Sequence, residues 1–192
     1  MATRSSTTTS TTATSTATTT TTPDYQVLLC VSGMSPAIIT ETLYALITQK
    51  RPWYPDEIHI VTTTEGTDKI NKELLQPAGP LAQLLESYWP LDRKPPRFDA
   101  STIHVISGQA DVNSEQSNKL AADCIFQTYH GIKNGSLLQS APPGVPVNIH
   151  ASIAGGRKTM SFLMGHVFSL LAGPKDELSH VLVNAPFEAV SP

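Results

Sequence analysis

From Gln26 onward, short apolar runs that favour strands alternate with longer segments whose apolar residues recur at helical spacing. The run 26–31 is almost continuously apolar, which is typical of a strand buried on both faces of a sheet. The next segment carries Ile39, Leu43 and Leu46 at helical spacing. This alternation predicts an α/β fold, a Rossmann-like and mostly parallel sheet with helices on both faces.

Four strand–helix cycles and a last strand can be assigned. Pro36 suits the first turn of a helix, where its missing N–H has no intrahelical partner to lose. Ser114 is the predicted N-cap of the third-cycle helix. The predicted strands span 26–31, 57–62, 102–106, 147–153 and 180–184, and the predicted helices follow Pro36, begin near Asp68, and span 81–88, 114–129 and 159–171.

Residues 1–22 are almost entirely Ser and Thr, with no apolar residue beyond Met and Ala. Such a segment cannot bury enough apolar surface to offset the entropy of ordering, so it is predicted to be disordered. It lacks the apolar centre of a secretory signal, and its single Arg4 disfavours a transit peptide. We therefore expect a tail over 1–24 and one domain over 25–192.

Composition and charge exclude some classes of function. No apolar run approaches the roughly 20 residues that cross a bilayer, so we expect a soluble protein without a membrane partner. The net charge of −3 argues against duplex DNA or long RNA as a partner, because proteins that grip a phosphate backbone are usually basic. Cys30 and Cys124 lack metal-ligand spacing and indicate buried thiols of a reducing compartment, which favours the cytoplasm.

Ligands of parallel α/β sheets bind beyond the carboxyl ends of the strands. The loops predicted there span 32–36, 62–67, 107–113 and 154–159, and all are rich in Gly, Ser, Thr or Asn. We therefore expect these four loops to form one ligand site.

The loop 154–159 has the strongest signal. Gly155 and Gly156 let the backbone approach a ligand, and the helix that follows directs N–H groups at an anion. Arg157 and Lys158 add positive charge, and Thr159 can either cap the helix or donate to a phosphate. The alternative is an ordinary turn with two solvated cations. The spacings of a Walker A loop and of G-x-G-x-x-G are absent.

The loop after the first strand holds Ser32, Gly33, Met34 and Ser35. Its hydroxyls can bond a phosphate or a ribose beside a helix N-terminus. An equally good interpretation is that Ser35 only caps the helix.

The other two loops are less specific. Thr63 and Thr64 offer hydroxyls to a ligand, although they can simply satisfy loop backbone. Asp111 and Asn113 could bond adenine or ribose, or form Asx-turns before the helix.

The six histidines show no paired metal-ligand spacing, so neither a metal nor another cofactor is predicted. Most lie in or beside strands, where structural histidines are the usual case. His150 lies near the glycine loop and is worth a mutational test.

Several segments resemble the CRISPR-associated Rossmann-fold (CARF) domains, in particular the ring-nuclease and sensor branch of type III CRISPR systems. The most specific segment is Ala-Gly-Gly-Arg-Lys-Thr-Met at 154–160. The segments that carry the resemblance are 28–36, 39–46, 55–60, 149–160, 178–183 and 186–188.

The resemblance implies a homodimer with a two-fold symmetric pocket for cyclic tetra- or hexa-adenylate, the second messenger of type III effector complexes. Ring nucleases cleave this ligand without a metal, by attack of a ribose 2′-OH, into linear products that end in a 2′,3′-cyclic phosphate. Lys158, Arg157 and Ser35 would be the catalytic residues. The residues expected to bind the ring come from all four loops: Ser32, Gly33, Met34, Thr63, Thr64, Asp111, Asn113, Gly155, Gly156 and Thr159.

Two alternatives stay open beside the ring nuclease. Sensor members carry an effector such as a HEPN ribonuclease with an R-x-x-x-x-H motif, and no such motif follows here. The chain could instead be a non-catalytic sensor or sponge, or a fragment of a longer CARF-effector protein. A dinucleotide enzyme is disfavoured because the G-x-G-x-x-G fingerprint is missing.

Overall fold

The computed structural model describes residues 23–182. The predicted disordered segment 1–22 and the end of the predicted last strand, 183–184, lie outside the described residues. The strands are β1 (Tyr25–Val31), β2 (Glu57–Thr62), β3 (Ile103–Val105), β4 (Val147–Ser152) and β5 (Glu177–Ser179). The helices are α1 (Ala37–Thr48), α2 (Thr64–Glu73), α3 (Pro80–Tyr88), α4 (Glu115–Lys133) and α5 (Lys158–Leu171).

The five strands form one sheet in the order β3-β2-β1-β4-β5, and every pairing is parallel. Alternate residues of β1 enter two separate cores, as the pleat requires. Val27 and Leu29 pack in a core with residues of α4 and α5. Leu28 and Cys30 pack in a second core with residues of α1, α2 and α3. The predicted α/β sheet with helices on both faces is thus confirmed.

The structure differs from the prediction in the positions of two segments. The segment 62–67 is not a polar loop, because α2 already begins at Thr64, where the Thr63 side chain accepts a hydrogen bond from the Gly66 N–H at 3.2 Å. The described part of the predicted last strand, residues 180–182, is not a strand, and the last described strand lies at Glu177–Ser179. Its register is fixed by a turn in which the Gly173 N–H donates to Asp176 at 2.7 Å.

The N-cap prediction for α4 is confirmed. The Ser114 hydroxyl accepts from the Ser117 N–H at 3.1 Å, and the Ser117 hydroxyl accepts from the Ser114 N–H at 2.9 Å. Such reciprocal bonds satisfy two N–H groups that the helix leaves open, and a cap of this kind stabilises by about 1 kcal/mol.

A buried polar cluster joins β1, β2 and β3. We call Tyr25, Glu57, His59 and His104 the Glu57 cluster. The Glu57 carboxylate accepts from the Tyr25 hydroxyl and from His59 Nε2, each at 2.9 Å, and His59 Nδ1 shares a hydrogen bond of 2.9 Å with His104 Nε2. The N–H groups of residues 139–140 also donate to Glu57. The cluster therefore fastens a distant loop to the sheet.

Asp24, predicted to belong to the tail, is bonded to the domain. Its carboxylate accepts from Asn148 at 2.8 Å and from Lys175 at 2.6 Å. Within residues 23–182, no helix has the length and apolar character to span a membrane. Cys30 and Cys124 are free thiols, and burial raises the pKa of Cys30 to about 12.

Candidate functional site

A cleft of about 510 Å³ opens at the carboxyl edge of the sheet. The chain runs from β1 to β2 and β3 on one side, and then returns to place β4 on the other side of β1. The loops after β1 and β4 therefore part at this switch point, which is where open α/β sheets bind ligands. The residues that line the cleft are Gly33, Met34, Ser35, Ile38, Glu41, Thr63, Glu65, Ala110, Asp111, Ala154, Gly155, Gly156, Arg157 and Met160.

The glycines allow the two central loops to meet. A Cβ on Gly33 would lie 3.5 Å from the Cα of Gly156, so the backbones of the two loops are in near contact. A Cβ on Gly155 would lie 2.8 Å from Cγ2 of Ile38 and would also collide with the Val31 carbonyl. Gly156 has a φ of +76°, which side-chain-bearing residues rarely adopt. These glycines thus permit close packing within the fold itself, whereas the predicted approach of their backbone to a ligand stays a prediction.

Ser35 lies in the cleft lining and is exposed. The alternative that it caps α1 is wrong, because the N-cap is Pro36 and makes no side-chain cap bond. Met34, beside it, is 55% exposed. Both side chains are accessible to a molecule in the cleft.

Ser32 and Thr64 lie outside the lining. The Ser32 side chain is fully buried and its hydroxyl has no partner among the described residues. Thr64 donates its hydroxyl to the Gln109 carbonyl at 3.1 Å, which ties the start of α2 to the loop after β3. Their predicted contacts with a ligand stay predictions, whereas Thr63 contributes to the lining.

Asp111 and Arg157 form an ion pair at the cleft. Arg157 Nε donates to Asp111 Oδ1 at 2.9 Å, and its Nη2 contacts Oδ2. The hydrogen bond from Arg157 holds the pKa of Asp111 below its usual value. The pair joins the loops after β3 and β4, and it gives Arg157 a partner although its side chain stays 59% exposed. The sequence predicted a contact of Asp111 with adenine or ribose, but it did not predict this ion pair.

Lys158 and Thr159 are the first two residues of α5, are exposed, and lie outside the lining. The alternative that Thr159 caps this helix is wrong, since the N-cap position is Arg157 and carries no side-chain cap bond. The first N–H groups of α5 therefore point out beside the cleft without a side-chain cap, as an anion site at a helix start would need.

Asn113 also lies outside the lining. Its N–H donates to the Ser117 hydroxyl at 3.0 Å, so the backbone of this residue helps to start α4. Its side chain is on the exposed part of the same loop.

The lining also contains Glu41, Glu65 and Met160, which were not among the site residues predicted from the sequence. Among the described lining residues, three are carboxylates and the single cation is Arg157. The two glutamates would repel a phosphate at close range but can accept from amino groups. A start of α2 at Thr64 would have placed Glu65 at the cleft, but the threonine-rich segment gave no clear signal for a helix. Within the described chain, no three His, Cys, Asp or Glu side chains gather in a metal-binding arrangement.

The fold and cleft define an α/β protein with a parallel sheet and a ligand-sized opening at its switch point. The sequence model of the family described as CRISPR-associated protein NE0113 (Cas_NE0113) matches residues 35–191, most of the chain and nearly all of the domain. The chain belongs to this CRISPR-associated family. No curated protein sequence matches it.

Proposed function

We propose that the protein binds a cyclic oligoadenylate in the cleft, with cyclic tetra-adenylate the expected ring, and cleaves it without a metal. The activity would switch off type III CRISPR antiviral signalling. Membership of a CRISPR-associated family and the resemblance of residues 154–160 to ring-nuclease CARF domains support the biological setting.

One structural observation carries the proposal. The loop with Gly155 and Gly156 meets the loop with Gly33 and Ser35 at a single cleft, beside the open N-terminus of α5. A phosphate at this place would meet amide donors from the helix start and, at the margin of the cleft, the charge of Lys158.

The proposed cleavage requires that the ligand backbone be bent into the geometry for attack, and it requires no cofactor. A ribose 2′-OH attacks its own adjacent phosphate once the leaving 5′-oxygen lies in line with it, and holding that geometry supplies much of the rate. The 2′-O–P bond forms, the P–O5′ bond breaks, and the 2′-proton leaves as the 5′-oxygen gains one. Lys158 and Arg157 would stabilise the charge that gathers on the phosphoryl oxygens. Ser35 would orient the ribose or the phosphate.

Arg157 can take this role only by exchanging partners. Its guanidinium is bound to Asp111, so a ligand phosphate must displace that carboxylate. The exchange costs little, because the Arg157 side chain is 59% exposed and water already competes for both partners of an exposed ion pair. We therefore assign Lys158 the larger share of the stabilisation.

A cyclic tetra-adenylate has a symmetric backbone. A two-fold pair of chains that presents two copies of the glycine loop would match it, since closed two-fold symmetry is the commonest arrangement of homo-oligomers. A homodimer with the ring between two clefts is thus part of the proposal.

Incubation of the purified chain with cyclic tetra-adenylate in EDTA tests cleavage. Single-turnover samples analysed by mass spectrometry should contain linear adenylates that end in a 2′,3′-cyclic phosphate. A ring that stays intact through a long incubation contradicts the cleavage step.

A second candidate function is binding without cleavage, as a sensor or a sponge. The pairing of Arg157 with Asp111 and the position of Lys158 outside the lining favour it, because both reduce the positive charge inside the cleft. Tight binding of the ring with no product, in the wild type and in Lys158→Ala alike, would decide for this function.

A further inference from the structure

Three polar side chains of β4 and β5 lie on one face of the sheet, apart from the cleft lining. His150 is paired in register with Glu177, and Ser179 lies two residues further along β5, so all three project to the same side. The Ser179 hydroxyl is 2.8 Å from His150 Nε2. His150 Nδ1 is 3.2 Å from Oε2 of Glu177. These distances join a hydroxyl, an imidazole and a carboxylate in series.

The imidazole in this series is held in one orientation. His150 is only 4% exposed, and its ring centre lies 5.1 Å from that of Trp53 at an angle of 50°. Burial lowers the pKa of His150, against the opposite effect of Glu177, so the ring is unprotonated at pH 7. A neutral ring with a proton on Nδ1 presents Nε2 as the acceptor for the Ser179 hydroxyl.

We propose that Ser179, His150 and Glu177 form a serine nucleophile site that hydrolyses small uncharged carboxylic esters. Of the two contacts that define an activated serine, the hydrogen bond from nucleophile to base is present, and the orienting carboxylate lies 3.2 Å from the other ring nitrogen without yet accepting from it. Glu177 does not align with the Nδ1–H in the present rotamer, since Nδ1 has no hydrogen-bond partner within residues 23–182. Its side chain is 65% exposed and is free to turn toward the ring.

The reaction needs only the ester and water. Ser179 Oγ attacks the acyl carbon while its proton passes to His150 Nε2, and that proton then goes to the leaving alcohol as the acyl–oxygen bond breaks. Water next attacks the acyl-serine by the same route in reverse, which releases the acid and restores the serine. Glu177 stabilises the imidazolium during both steps.

The edge of the sheet offers a donor for the acyl oxygen. The Ser179 carbonyl accepts from the Ile153 N–H at 3.0 Å, so the peptide groups of Ser179 face β4. Peptide groups alternate in direction along a strand, and the N–H group of residue 178 therefore faces away from β4. Among the described strands β5 is the outer one on this side. That N–H group lies next to the nucleophile in the chain and can donate to an oxyanion.

The surroundings select the substrate class. The Glu177 carboxylate repels anionic esters, and the Trp53 indole beside His150 favours an apolar acyl group. Ser179 is half-buried rather than enclosed, which admits small esters and gives no cavity for long chains.

Labelling of the full chain with a fluorophosphonate probe tests the site, with the labelled peptide located by mass spectrometry. Ser179 should be labelled selectively, and p-nitrophenyl acetate should give a burst of about one acetyl group per chain at Ser179. His150→Gln should slow labelling by about 100-fold or more. Glu177→Gln should slow it by a smaller factor without affecting folding, because that side chain is exposed. Ser87→Ala, an exposed serine of α3, is the matched control and should change nothing.

Two results would overturn the proposal. One is labelling of Ser179 no faster than of Ser87. The other is an unchanged rate at Ser179 in both His150→Gln and Glu177→Gln. Either result leaves the binding and cleavage of cyclic oligoadenylate untouched, because none of the three residues lines the cleft.

Discussion

Two pairs of oppositely charged or hydrogen-bonded side chains differ in their surroundings: one lies at the cleft and the other in the interior of the fold. At the cleft, Arg157 and Asp111 have side chains that are 59% and 31% exposed. In the Glu57 cluster, the side chains of Glu57 and His59 are fully buried. The first pair joins two loops, whereas the second lies within one strand and belongs to a cluster that joins β1, β2 and β3 to a distant loop.

Exposure decides what each pair can do. Water and ions compete with an exposed pair, so a ligand phosphate can replace Asp111 at small cost. A buried carboxylate that loses its donors is left without compensation, and the fold opposes any such change. Polar residues alone therefore do not mark a site; polar residues whose partners can be exchanged do.

The largest expected effect comes from removal of the buried carboxylate. Glu57→Ala leaves the Tyr25 hydroxyl, His59 and two peptide N–H groups without their acceptor, and should lower the free energy of unfolding by about 3–5 kcal/mol. Urea unfolding measures it. Glu115→Ala is the matched control, since that carboxylate is 85% exposed and pairs only with Lys119, and it should cost about 0.5 kcal/mol or less. Equal effects of the two variants would contradict the distinction.

The Glu57 cluster should also make the free energy of unfolding depend on pH. Burial alone would raise the pKa of Glu57, but hydrogen bonds from His59, the Ser140 N–H and Tyr25 lower it to about 2. Burial and His59 lower the pKa of His104 to about 4. Both folded-state pKa values lie below the usual ones, so the stabilisation is complete at neutral pH and is lost as the pH falls.

Unfolding free energies over a pH series measure this dependence. Stability should fall from about pH 6.5 to 4 through His104 and from about pH 4.5 to 2 through Glu57. His104→Gln should make the upper part of the curve less steep and leave the contribution of His150, whose pKa burial also lowers. A wild-type curve that is level between pH 6.5 and 4 would show that His104 gains its proton freely in the fold.

At the cleft, Lys158→Ala should slow cleavage of cyclic tetra-adenylate by about tenfold or more and leave the thermal unfolding temperature unchanged, because the side chain is exposed. Single-turnover kinetics measure the loss. Ser35→Ala should reduce the rate less, since a hydroxyl that orients the ligand carries no charge. Unchanged cleavage in Lys158→Ala would mean that the phosphate is stabilised from elsewhere.

The smallest effect is expected for the exposed pair itself. Asp111→Asn frees Arg157 for the ligand and should tighten binding of cyclic tetra-adenylate by about two- to fivefold, a small effect because water already weakens an exposed ion pair. Isothermal titration at constant salt measures the change. Weaker binding would show instead that Asp111 contacts the ring directly, as the sequence suggested for adenine or ribose.

The arrangement of the fold could be predicted because burial on both faces of the sheet leaves a strong pattern, as in 26–31. The ends of helices and strands that depend on one local hydrogen bond could not be predicted. Thr63 caps α2 through a single hydrogen bond to Gly66, and the register of β5 follows a turn closed by Asp176. Neither bond leaves a periodic signal in the sequence.

For the site, the glycine loop and Ser35 were predicted and do line one cleft. The two glutamates were missed because their place depends on where α1 and α2 begin. The pairing of Asp111 with Arg157 joins residues 46 positions apart, which no local pattern encodes. Ser32 shows the reverse case, a hydroxyl that the spacing suggests for a ligand and that the fold buries.

Amide hydrogen exchange with and without cyclic tetra-adenylate tests the central claim most directly, because it locates the ligand without requiring cleavage. We predict new protection in the loops 32–36, 107–113 and 154–159, and no change in the strand residues 57–59 that carry the Glu57 cluster. Protection confined to other parts of the chain, or no protection at ligand concentrations well above that of the protein, would contradict a nucleotide site at the carboxyl edge of the sheet.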